Sequence, residues 1–395
     1  MEAKKLFDLY EPMHEELAAL IKYIYDNPEL GNEEYKACAA HTELLEKHGF
    51  KVEVGYLGTP TAFRAEFDSG KPGPTICYLA EYDALPGIGH GCGHNHLGTV
   101  SSGAGILLSK IVGEIGGRVV VGGTPAEETC GGKVTFAENG AFDDIDVTMI
   151  SHPYDEDQES GSSLALNPLQ FTFTGKPSHA AAAPEQGINA LDACLATFHS
   201  INALREHLLS STRIHGIIKE GGLAANIVPE RAVAQFYVRT QRKLYNQEVT
   251  EKVLNCAKAG ALAAGAKLEV EQFEFAYDDL MTNQRLQKAH NKSLNAVGIT
   301  NITVPKGSAG STDVGNVSYV SPVIHNHYSI FGEGEQTYPT HTREFADATL
   351  TPSAMKALRK NVVALAMTGA DIITDPQLLA EIRAEFDEAT KDFRK

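Results

Sequence analysis

The chain has 395 residues, 43% of them hydrophobic and 22% charged, with 34 Lys plus Arg against 51 Asp plus Glu. At roughly 100–200 residues per domain this length excludes a single small module and predicts two or three units. The formal charge of −17 argues against a nucleic-acid binder, which needs clustered positive charge, and the apolar content argues against a disordered chain.

The six cysteines, Cys38, Cys77, Cys92, Cys130, Cys194 and Cys256, are scattered singly with no CxxC pair. That is a poor disulfide framework and points to a reducing compartment. The first residues, MEAKKLFDLYEPMHEELAALIKYIYD, interleave acids with apolar positions and lack the continuous apolar stretch of a signal peptide. No run elsewhere is long enough to cross a bilayer, so the expected location is cytoplasmic, without a membrane or nucleic-acid partner.

Apolar residues at helical spacing predict helices over 17–25 and 35–48, with Gly49 just beyond as a stop. Strand-like segments follow at 51–56, 62–67, 75–80, 118–122 and 147–151, with an apolar helix over 98–111 between the third and fourth. Strands alternating with helices in this way predict an α/β sheet covered by helices. From about 169 the pattern changes to strand 170–174, helix 187–209, strands 214–220 and 232–240, helix 245–264 and strand 267–275. That βαββαβ order is a complete ferredoxin-like unit. A helix over 283–297, a glycine-rich loop, an apolar segment 321–330 and helices over 352–368 and 378–393 then resume the earlier pattern. The expected architecture is a discontinuous α/β catalytic domain, 1–168 and 283–395, interrupted by an inserted lid, 169–282.

The stretch LAEYDALPGIGHGCGHNHLGT presents Glu81, Asp83, His90, Cys92, His94 and His96 in one glycine-rich loop after an apolar strand. Ligands bind beyond the carboxyl ends of strands in open α/β sheets, so donors converge naturally there. Cys92 and His94, two apart, can aim sulfur and imidazole nitrogen at one metal: Zn, or Mn with more oxygen ligands. In GTPAEETCGG, Glu127 and Glu128 stand side by side on irregular backbone, where one can hold a metal while the other takes a proton from water. His152, just after a strand ending at Ile150, and His341 in TYPTHTREF complete the candidate donors.

GHGCGHNH after EYDALP, then GTPAEE, SHP, GKPSHAAAAPEQGINALDA, GGLAANIVPERA and GSTDVGNVSY, in that order, resemble peptidase family M twenty in its amidohydrolase branch. The resemblance covers nearly the whole chain. It implies a catalytic domain with a phosphorylase/hydrolase-like two-metal site, and a lid that forms a homodimer.

Residue by residue, the resemblance implies two divalent ions (Zn or Mn) on Cys92, His94, Glu128, His152 and His341, with Glu127 as general base. Asp83 would orient a ligand histidine through its second nitrogen. His179 of the lid would stabilise the oxyanion, from its own protomer or a partner's. Asn226 and Arg239 are candidates for substrate oxygen and carboxylate, with Ser311 and Thr312 lining the pocket in the loop 307–315. A surface role for Arg239 and a plain turn for the loop remain alternatives.

Three positions depart from common patterns. Asn95 stands where many members carry Asp. Glu81-Tyr82-Asp83 replaces HxD, removing the wider family's metal-binding His. Cys130 replaces a Gly and is expected as a small packed thiol. The implied activity is metal-dependent hydrolysis of the amide bond of an N-acyl amino acid or dipeptide. A carboxypeptidase on longer peptides, or a metal-binding protein without catalysis, are the alternatives; a serine hydrolase is disfavoured because no GxSxG is present.

Overall fold

The computed structural model describes residues 2–307 and 310–393. In chain order its elements are α1 (Ala3–Tyr10), α2 (His14–Asp26), α3 (Tyr35–Lys47), β1 (Lys51–Val54), β2 (Phe63–Asp68), β3 (Thr75–Ala80), α4 (His94–Ile115), β4 (Arg118–Gly123), α5 (Gly132–Glu138) and β5 (Val147–Tyr154). Then come β6 (Ala165–Thr174), α6 (Ala190–Leu204), β7 (Arg213–Glu220), β8 (Arg231–Thr240), α7 (Lys243–Ala264) and β9 (Lys267–Glu271). The chain closes with α8 (Gln284–Ala296), α9 (Val314–Val317), β10 (Val323–Ser329), α10 (Arg343–Ala348), α11 (Pro352–Thr374) and α12 (Pro376–Thr390). These elements divide into two compact units, 1–162 with 280–308 and 313–395, and 163–279 with 309–312.

The first unit is built on a six-stranded sheet ordered β1-β2-β4-β3-β5-β10, in which β4, β3, β5 and β10 pair in parallel and β2 runs the other way, antiparallel to both of its neighbours β1 and β4. Its central strand is buried on both faces: Ile76, Tyr78 and Ala80 pack into one core, Cys77 and Leu79 into another. A doubly covered strand reads as one continuous apolar run, which is why TICYLA shows no polar alternation. Helix α4 lies against β3 so closely that a Cβ at Gly98 would stand 2.4 Å from the Glu81 carbonyl oxygen. Glycine there lets the helix start beside the end of β3.

The second unit is a four-stranded antiparallel sheet, β7-β8-β6-β9, with α6 and α7 packed on it through Phe171, Phe173, Phe236, Ala193, Val249 and Val253. This is the ferredoxin-like strand order that βαββαβ connectivity predicts. No single described helix is long and apolar enough to cross a membrane.

Three expectations are corrected. His94 and His96 are not loop residues, because α4 already begins at His94. His152 does not follow its strand but lies inside β5, which runs on to Tyr154 because β10 pairs with it, His327 opposite His152. Cys130 is exposed rather than packed. The helices α1, α5, α9 and α10 went unpredicted; α5, α9 and α10 are under two turns, too short for helical periodicity to register.

Candidate metal centre

Parallel strands deliver their carboxyl ends to one edge of a sheet. Beyond β3 come Glu81 and Asp83, and beyond β4 come Ala126, Glu127 and Glu128. β5 carries His152, and β10 carries His325 and His327. Three overlapping groups have ligand atoms all within 4.8 Å of one another: Cys92, His94 and His152; Cys92, Glu128 and His341; His94, Glu127 and Glu128. Every metal-ligand residue expected from the sequence therefore falls in one cluster of the first unit, and Cys92 belongs to two of the groups.

The orientation of each side chain has a visible cause. His94 Nδ1 lies 2.9 Å from Asp83 Oδ1 and 3.1 Å from the Asp83 carbonyl oxygen, which turns Nε2 inward. His152 Nδ1 lies 2.7 Å from the Pro153 carbonyl, and its Nε2 faces Cys92 Sγ at 3.5 Å. The His341 backbone, at φ 66°, donates to the Gly91 carbonyl at 2.8 Å, and its Nε2 stands 3.3 Å from Glu128 Oε1. Asp83 uses its second oxygen as well, accepting the Glu128 backbone N–H at 2.9 Å.

Donor atoms that crowd together without bonding to one another fit a cation. His94 Nε2 is buried 3.2 Å from Glu81 Oε2, and Glu128 Oε1 is buried beside His341, yet neither pair has hydrogen-bond alignment. Buried polar atoms are costly without partners. A set of one sulfur, three imidazole nitrogens and carboxylate oxygens, each imidazole fixed through its other nitrogen or its backbone, suits divalent metal ions.

The charges around the cluster are uneven. Burial raises the Glu127 carboxyl well above the usual carboxylate range, and the negative charges of Glu81 and Asp313 push the same way. Burial also opposes charge on His94, but Asp83 and Cys92 beside it hold its ring well above the ordinary imidazole range. His152 is driven down to about 4 by burial and then by the His94 charge.

Several residues in this region were not assigned a role from sequence. Lys133 is wholly buried, with Nζ 2.6 Å from Glu81 Oε1 and 2.7 Å from Asp313 Oδ1. It is the cation that makes two buried carboxylates tolerable. The rings of His325 and His327, two apart on β10, lie tilted against that of His152 with centroids 5.7 and 5.6 Å away. The alternation in VIHNHYS was the signal available for them. His96, which the sequence grouped with the candidates, is instead held in the core by Tyr328 Oη at 2.6 Å and the Ala354 carbonyl at 2.9 Å.

The remaining candidates lie in the second unit. Arg239 Nη1 donates to Ser311 Oγ at 3.1 Å, and its guanidinium lies 5.5 Å from the Tyr237 ring. The Asn226 carbonyl accepts the Ala180 N–H at 3.0 Å, beside His179, whose Nδ1 accepts from Ala181 and Ala182 at 3.2 and 3.1 Å. Thr312 is buried in the same unit as Ser311. Ser308 and Ala309 of that loop lie outside the described residues.

An α/β sheet that gathers Cys, His and Glu at its carboxyl edge, with a ferredoxin-like insertion, defines a metallohydrolase. Residues 168–264 match the peptidase dimerisation domain. The chain is 36% identical to the Xaa-Arg dipeptidase of Mus musculus, over 94% of this chain and 89% of that protein. It is 28% identical to a p-aminobenzoyl-glutamate hydrolase component of Escherichia coli, over 97% of this chain and 94% of that one. A crystal structure of a dinuclear metal-binding peptidase of Bacillus subtilis superposes with a TM-score of 0.68 at 19% identity, over 92% of this chain and all of that one. The chain belongs to peptidase family M twenty and is a hydrolase.

Proposed function

We propose that the chain hydrolyses the amide bond of a small N-acyl or aminoacyl amino acid, a dipeptide or an aroyl-glutamate, with Glu127 as general base. The observation that carries this reading is the pairing of Glu128, in contact with His341, with a neighbouring Glu127 whose carboxyl is pushed up by burial. A binding protein has no use for a second carboxylate beside the one that contacts His341. The names of the relatives, a dipeptidase and an aminobenzoyl-glutamate hydrolase, support the substrate class.

Cys92, His94, Glu128, His152 and His341 would hold two divalent ions, with Zn favoured by sulfur and imidazole and Mn by oxygen. When bound, such ions lower the pKa of water and polarise a carbonyl. Glu127 takes the proton of the attacking water and delivers it to the leaving amine. Asp83 keeps His94 in the tautomer that faces inward. His179 accepts hydrogen bonds on Nδ1, so the proton of its neutral ring sits on Nε2, the tautomer that can donate to an oxyanion. Arg239, already fixed by Ser311, offers a fork that matches a substrate carboxylate, and Asn226 and Thr312 offer further polar contacts. A homodimer through the lid and a cytoplasmic location complete the reading.

The test is amine release from a panel of N-acyl amino acids and dipeptides by protein reconstituted with Zn or Mn, alongside longer peptides. Turnover that chelation removes, confined to the shortest substrates, is expected. Efficient trimming of long peptides would favour a carboxypeptidase. Absence of both bound metal and hydrolysis would overturn the catalytic reading.

A further inference from the structure

We propose that Glu34 is a positioning residue for the catalytic loop: its buried carboxylate holds Ala126 in a left-handed backbone conformation and so sets the direction in which Glu127 and Glu128 leave the sheet. This rests on the reading of Glu127 as the base.

Ala126 has φ 61°, a region that L residues other than glycine rarely occupy and that persists only where the surroundings impose it. It immediately precedes the paired glutamates. Its N–H donates to Glu34 Oε1 at 2.8 Å, a contact between residues 92 apart in the chain. The other carboxylate oxygen, Oε2, accepts the Thr61 hydroxyl at 2.9 Å. Glu34 is wholly buried, and a carboxylate without solvent is tolerable only when its oxygens are bonded. Both oxygens have donors, so the group is rigid enough to act as a template.

The segment that bears Glu34 is itself docked. The Ala84 N–H donates to the Glu29 carbonyl at 2.8 Å. At Gly31 a Cβ would stand 2.2 Å from Thr129 Oγ1 and 2.9 Å from Ala126 Cβ, so the segment is pressed onto the loop and cannot carry a larger residue there. On the loop's own side, the Ala126 carbonyl accepts from the N–H groups of Cys130 at 3.0 Å and Gly131 at 2.7 Å. On the far side of Glu127, the Glu128 N–H is held by Asp83. Glu127 is thus bracketed: one buried carboxylate fixes the residue before it and another fixes the residue after it. Such bracketing is what a base that must meet a reacting water within fractions of an ångström requires.

The test compares Glu34→Gln, Glu34→Leu, Ala126→Gly and Glu34→Leu with Ala126→Gly, by kcat and KM on the metal-loaded enzyme and by hydrogen exchange of the peptide spanning Ala126 to Glu128. Glu34→Gln keeps an oxygen for the Ala126 N–H and can donate to Thr61, so it should stay near wild type in both readouts. Glu34→Leu should lower kcat about tenfold or more with KM little changed, and should speed exchange of the loop about tenfold. Adding Ala126→Gly, which takes a positive φ without strain, should restore part of kcat. Unchanged loop exchange in Glu34→Leu would overturn the proposal. So would a loss of kcat that glutamine shares, or one that tracks the thermal midpoint and resists Ala126→Gly. If wild type turns over no substrate, the base assignment fails by itself and the exchange comparison still decides whether Glu34 holds the loop.

Discussion

Asp83 touches His94 Nδ1 with one carboxylate oxygen, at 2.9 Å, and the Glu128 backbone N–H with the other, also at 2.9 Å. A single buried side chain therefore aims an imidazole and fixes the loop of the paired glutamates. Asp83→Asn retains an acceptor for only one of these two donors, because its other terminus is an amide that donates. The variant should bind metal about 10–100-fold more weakly, as measured by competition with a chelator. Metal affinity equal to wild type would show that His94 needs no orienting group.

Glu127→Gln changes no expected ligand and removes the group that takes the proton. It should keep its metal, by elemental analysis, while kcat falls on the order of 100-fold or more. Retained turnover would reassign the base.

Lys133 lies between Glu81 and Asp313 with no exposure to solvent. Lys133→Met leaves two buried carboxylates without their cation, a change that typically costs about 3–5 kcal/mol. Urea unfolding of the metal-free protein should show a loss of that size, reduced when Glu81→Gln or Asp313→Asn is combined with it. A loss below about 1 kcal/mol would mean that other groups or water neutralise the pair.

Glu34 also predicts a pH dependence. Burial raises its carboxyl from 4.5 to about 7 in the folded chain, against the pull of its Thr61 and Ala126 donors. Below 4.5 the group is protonated whether the chain is folded or not, and its contribution to stability is fully present. Between 4.5 and 7 unfolding releases the proton, so stability falls as pH rises, by up to about 3 kcal/mol once pH passes 7. Glu34→Gln does not titrate, so its stability relative to wild type should climb through that window in urea unfolding at stepped pH. A flat difference from pH 4 to 8 would show that the native carboxyl is not raised.

Much of this protein was determined by local sequence. TICYLA, doubly apolar between Gly-Pro and Glu-Tyr-Asp, could only be a covered strand, and βαββαβ connectivity implied the ferredoxin-like unit before any contact was known. The adjacency of Glu127 and Glu128, and the spacing of Cys92 and His94, made the cluster legible because those donors are neighbours along the chain. Tertiary structure decided what depends on strands far apart in sequence. His327 joins His152 only because β10 pairs in parallel with β5, and Lys133 matters only because α5 brings it between carboxylates 52 residues before it and 180 after it. Glu34 reads as one acid among several in a polar linker until its oxygen is seen on the Ala126 amide. Periodicity and motif report forces that act between neighbours on one element. The burial that turns a Lys or a Glu into a structural charge is a property of the packed interior, set by every element that closes over it.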